Sequence, residues 1–177
     1  MIATLGQQPQ SDTGAAWVGG QGRPAYANTR WAPIGPFDRL DTGAGQILAR
    51  AYWEAGRSNS PHIGPEHLLL ALIADDSAWM RCIWTELGVH LENLVALISA
   101  APRQESAKPA KLIPVADLSD AIDRASSFAA ERHSALIRPE HLLLGIVAGP
   151  KGVVVDTLAA IGVTSERVRT VVDKLRQ

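Results

Sequence analysis

Two Glu-His pairs stand in the same setting, Pro65-Glu66-His67-Leu68-Leu69-Leu70 and Pro139-Glu140-His141-Leu142-Leu143-Leu144. A carboxylate beside an imidazole can serve acid–base chemistry or bind a metal, so both pairs are the first candidates for function. A metal fits poorly, because no His-Glu-x-x-His spacing or third ligand accompanies them. A hydrolase needs a nucleophile, a base and a stabilising site; Ser58, Ser60 and Ser134 are near histidines in sequence, but none stands in a nucleophile elbow. Cys82 is the only cysteine. Its neighbours Ile83 and Trp84 predict a buried, inert thiol. Gly149-Pro150-Lys151-Gly152 lacks the spacing and the hydroxyl of a phosphate-binding loop. The residues therefore predict no catalytic group, no metal and no cofactor. A structural role suits the pairs on their own: Glu66 and Glu140 complement a helix dipole from its first turn, and His67 and His141 hold the adjoining loop by a hydrogen bond.

The elements that must position these pairs repeat with them. The two motifs lie 74 residues apart, and at that offset, without gaps, Arg50 meets Arg124, Ala51 meets Ala125 and Ala55 meets Ala129. Ser60 likewise meets Ser134, Ile63 meets Ile137, Ala74 meets Ala148, and Gly88-Val89 meets Gly162-Val163. A register kept over that span indicates duplication. Each copy reads as four helices. In the first, Ile47, Leu48, Ala51 and Ala55 form an apolar stripe, and Gly64-Pro65-Glu66 starts a second helix with Leu68, Leu69, Leu72 and Ile73 inward. Ser77 caps a third helix that ends at Leu87-Gly88, and a fourth over 91–100 turns Leu91, Leu94, Val95 and Ile98 inward. The second copy predicts helices over 116–132, 139–148, 153–161 and 165–176. Trp53, Trp79 and Trp84 have no counterparts in it and read as core or rim packing. The expected architecture is all-α, two pseudo-symmetric four-helix repeats over residues 37–177: repeat one 38–100, a Pro-bounded linker 101–111, and repeat two 112–177. Residues 1–36, rich in Gly, Gln, Pro, Ser and Ala, read as a disordered tail carrying Trp17, Tyr26 and Trp31.

The chain of 177 residues carries a net charge of −1 and no basic arm, which argues against nucleic acid or anionic lipid as a partner. Its longest apolar run, Leu68 to Ala74, is far short of the roughly 18–20 residues that a membrane helix needs. No secretory leader is evident, and a single cysteine suits a reducing cytoplasm.

The doubled Pro-Glu-His-Leu-Leu-Leu motif, each copy behind an Ala-rich helix, resembles the amino-terminal domain of the Clp protein unfoldases, a tandem repeat with a Gly-Thr-Glu-His-Leu/Ile-Leu-Leu-like motif. The resemblance covers about residues 38–177. It implies a non-catalytic receptor in the Clp proteolysis system whose partners are Clp ATPase or protease components, adaptors and clients. These residues include no ATPase module, so the resemblance implies an adaptor or a decoy, with a fixed-complex interaction subunit as the alternative. It further implies phosphoarginine as a ligand: the motif glutamates, here Glu66 and Glu140, pair with the guanidinium, while helix amides and a hydroxyl hold the phosphate. The family's phosphate-contacting Thr falls on Asp41 and Val115, which offer no hydroxyl, and the motif Thr is replaced by Pro65 and Pro139. Arg138, in place of Gly64, adds positive charge and makes the second site the stronger anion candidate on this reading.

Overall fold

The computed structural model describes residues 36–58, 60, 62–100, 113–114 and 116–177. Tail residues Trp17, Tyr26 and Trp31, the linker 101–111 and Val115 lie outside the described residues.

Among the described residues, eight α-helices carry the fold: α1 Thr42–Arg57, α2 Pro65–Ile73, α3 Ala78–Glu86, α4 Leu91–Ala100, α5 Ala116–Glu131, α6 Pro139–Val147, α7 Val153–Ala160 and α8 Ser165–Leu175. Shifting α1 and α2 by 74 residues reproduces the limits of α5 and α6. The local reasons repeat too. Pro65 and Pro139 open α2 and α6 at the position where a missing N–H costs nothing. Ser77 accepts from the Met80 amide at the start of α3, and Thr164 does the same for Arg167 at the start of α8. Gly88 and Gly162, with φ of 67° and 78°, end α3 and α7 in the left-handed region. The amides that follow, of Val89 and Val163, reach back to Trp84 and Leu158 carbonyls, which satisfies groups the helix end would otherwise orphan. Arg50 and Arg124, equivalent by the repeat, donate to the Ala74 and Gly145 carbonyls near the ends of α2 and α6.

The helix pairs α1–α2 and α5–α6 pack tightly, and α2 and α6 meet at the centre. Glu140 through Val147 are all buried, the run from Leu142 onward being apolar around the helix. Gly145 lets α6 approach α5: a Cβ there would collide with the Ala121 carbonyl. The outer contacts, α3 with α8 and α4 with α7, exchange under the repeat symmetry.

A second exchange ties each motif to the other half. The short strands β1 (His62–Ile63) and β2 (Ile113–Pro114) pair in parallel, with Ile63 opposite Pro114. At the equivalent place, Leu40 bridges to Ile137; the Asp41 amide donates to Ile137 O (2.9 Å) and the Ile137 amide to Arg39 O (2.7 Å). The residues leading into α1 are therefore zipped to the second motif's loop, and those leading into α5 to the first.

Some expectations about packing need correction. Cys82 is exposed. On α3, Met80, Ile83 and Trp84 are buried, with Leu87 one turn on, and position 82 falls opposite that stripe. Val95 is also exposed, because α4 turns in a narrow face centred on Leu94 and Ile98. Of the tryptophans, Trp84 is core and donates to Leu72 O, Trp79 is half-buried, and Trp53 is 59% exposed with the Arg57 guanidinium over its ring.

Candidate functional site

The two Glu-His pairs share one scaffold and differ in what surrounds it. His67 Nδ1 accepts from the Gly64 amide and His141 Nδ1 from the Arg138 amide, each at 3.1 Å. The expected role of both histidines, fastening the loop to the helix start, is what the structure shows. At His141, using Nδ1 as acceptor leaves the proton on Nε2. His67 Nε2 lies 3.4 Å from Ser58 Oγ, so Ser58, placed near a histidine by sequence alone, is its neighbour in space as well. Ser58 Oγ itself donates to Glu54 O (2.9 Å), while Ser60 and Ser134, equivalent by the repeat, donate to the carbonyls of His62 and Leu136. Each of these hydroxyls is committed to backbone. Among the described residues, no three of His, Cys, Asp and Glu gather to hold a metal.

In the second copy, Arg132 stands where Ser58 stands in the first, and it turns away to pair with Asp173. His141 Nε2 is consequently buried without a hydrogen-bond partner among the described residues. Burial, foremost, lowers its pKa to about 4; Glu140 raises it, and Arg176, Arg132 and Arg138 lower it. The Arg132 hydrogen bond, followed by smaller charge effects, holds Asp173 below the ordinary carboxylate value against a partial opposing effect of desolvation.

The glutamates diverge further. Glu66 folds back over Gly64, where a Cβ would collide with its carboxylate, and Oε1 lies 3.0 Å from His67 Nδ1. Its side chain keeps 36% exposure. Arg138 in place of Gly64 carries a Cβ at the corresponding position. Glu140 is turned inward, 2% exposed, and its Oε1 accepts from an Arg176 guanidinium nitrogen at 2.8 Å. Arg176 is the C-cap residue of α8. No signal at the repeat offset points to it, since the position 74 residues earlier is Pro102.

Glu66 also lines a cavity of about 330 Å³ with Pro65, Asp117, Arg124 and Lys151. The cavity joins the start of α2 to α5 and to the first turn of α7, whose N-cap Gly152 has no side chain to satisfy the leading amides. Two acidic and two basic side chains therefore border one space. Asp41 lies elsewhere. It caps α1 by accepting from the Ala44 amide at 2.7 Å, its backbone is tied to Ile137, and the neighbouring Gly43 abuts Pro139. Counting back within one repeat assigns Asp41 to Glu66, whereas the zipped lead-ins put it beside the motif of Glu140. Arg138 is exposed at the start of α6.

The Clp repeat (R) N-terminal domain family matches residues 39–111 and 116–177. The ATP-dependent Clp protease ATP-binding subunit ClpC of Staphylococcus epidermidis is 25% identical over 138 residues, covering 78% of this chain. The match spans only 17% of that relative's length. The Hsp104 N-terminal domain of Candida albicans superposes with a TM-score of 0.65 at 16% identity, over 77% of this chain and 91% of that one. A ClpV N-domain in complex with a VipB peptide gives 0.63 at 15% identity, over 74% and 82%. These two likenesses are of fold.

Proposed function

The chain belongs to the Clp repeat N-terminal domain family, and on that premise we propose that it is a non-catalytic protein-binding module of the Clp proteolysis system. It serves as an adaptor or decoy that takes up clients or adaptors, phosphoarginine-marked ones among them. The observation that carries this reading is the half-exposed Glu66 at a cavity bordered by both charge signs. A carboxylate pair can hold a guanidinium fork, and a cationic border beside a helix start without a side-chain cap suits an anion. A phosphorylated arginine presents both groups. The peptide-bound ClpV N-domain supports the reading, since there the same fold carries a partner segment.

Co-purification of the chain with the Clp ATPase of its host, with and without an arginine-phosphorylated client, tests it. An adaptor is retained on the ATPase, a decoy only on the client, and Glu66→Ala weakens client retention at least tenfold. Client retention indifferent to Glu66→Ala removes the cavity from the account. A second reading, a subunit of a fixed complex, rests on Trp53 and Val95, exposed on α1 and α4. Arg57, which stacks on Trp53, and Val95 both line a groove of about 320 Å³. A stable complex lost with Trp53→Ala but not with Glu66→Ala favours that reading.

A further inference from the structure

Glu140 and Glu66 occupy equivalent places in the two repeats, yet Glu140 is buried against a guanidinium from its own chain while Glu66 borders a cavity. A buried carboxylate needs a cationic or hydrogen-bonding partner, because burial strips its charge of water. Arg176 meets that need at 2.8 Å while its own side chain remains 30% exposed. It sits at the C-cap of α8, and a helix end opens at far lower cost than a core segment. The first repeat has Pro102 where the second has Arg176.

We propose that Arg176 is an internal occupant of the second motif, a latch that fills the Glu140 site with the chain's own guanidinium and yields it only to an arginine-bearing ligand that outcompetes it. The inference rests on reading the motif glutamates as arginine receptors. The latch accounts for two near-identical motifs in such different states: Glu66 faces a cavity, and Glu140 is closed. Because a ligand at Glu140 must first displace Arg176, its apparent affinity is reduced by the small fraction of open chains. Arg138, exposed at the start of α6, remains as a cation near this corner once Arg176 withdraws, while Arg132 stays paired with Asp173. An incoming arginine that carries an anion of its own suits it better than a bare one.

Calorimetric titration of free phosphoarginine into the full chain and its Arg176→Ala variant separates the latch from the reading beneath it. The latch predicts that Arg176→Ala gains one site per chain relative to wild type, that Glu140→Gln in that background removes the gained site, and that Glu66→Ala leaves it. An unchanged stoichiometry, or a gained site that survives Glu140→Gln, overturns the latch. If wild type binds nothing while Arg176→Ala binds once at Glu140, the Glu66 reading fails and the latch stands. Should Arg176→Ala not fold, the side-chain Nε–H resonance of Arg176 in wild type decides the same question. It shifts to a solvent-exposed value as phosphoarginine saturates the second site, and a resonance unmoved up to the solubility limit overturns the latch.

Discussion

Three substitutions set the two motifs apart: Arg132 for Ser58, Arg138 for Gly64 and Arg176 for Pro102. Gly64 leaves room for Glu66 to fold back, whereas a residue with a Cβ stands at position 138 and Glu140 is in a buried pair with Arg176. The two glutamates should therefore respond differently to mutation. Arg176→Ala, which strands a buried carboxylate, is expected to destabilise the chain by about 3 kcal/mol, whereas Glu66→Ala should cost under about 1 kcal/mol; urea unfolding of both variants checks this. His141 adds a pH dependence. In the folded chain it stays neutral down to about pH 4, while unfolded it takes up a proton near its ordinary value of 6.5. The unfolded state binds more protons between those values, so stability falls as pH drops through that window, by up to about 1.4 kcal/mol per pH unit for this one group. His141→Gln should flatten that part of the stability profile measured by denaturant titration. The loop-fastening role of both histidines was legible from their place between a proline-started helix and its loop. The Arg176 pairing was not, because it breaks the repeat. Nor was the orphaned Nε2 of His141, which follows from Arg132 standing where the first copy has Ser58.

At the scale of elements, the apolar stripes and punctuation residues located the helices closely. The same 74-residue register that carried the motif carried the limits of α1 and α2 onto α5 and α6. Periodicity was less informative about the rims of each face. It could not show that α4 turns in only Leu94 and Ile98 fully, and a run of apolar neighbours around Cys82 hid the helical phase that exposes it. Gly145 gives a test of packing against propensity. Alanine normally favours a helix interior by about 1 kcal/mol over glycine, yet here its Cβ would meet the Ala121 carbonyl of α5. Gly145→Ala is therefore expected to destabilise by about 1–3 kcal/mol. In the same unfolding assay, Glu92→Ala on the exposed face of α4 should change stability by no more than about 0.5 kcal/mol.

For the whole molecule, the duplication implied two like halves but not how they interlock. Leu40 pairs with Ile137 and Pro114 with Ile63, so each motif receives its neighbours from the other repeat. That crossing puts Asp41 at the second motif and Asp117 in the cavity of the first, a pairing no count within one repeat can reach. The fold, the family and the helix-start glutamates could be read from sequence, while the composition of each site depended on a long-range strand pairing two residues long. On the proposed function, the Glu66 cavity receives an arginine-borne anion. Amide chemical-shift mapping with phosphoarginine tests it most directly. Saturable shifts clustered at Glu66, Asp117 and Lys151, and abolished by Glu66→Ala, are the predicted result. Shifts confined to the α1–α4 groove around Trp53 and Val95, or none at millimolar ligand, contradict it.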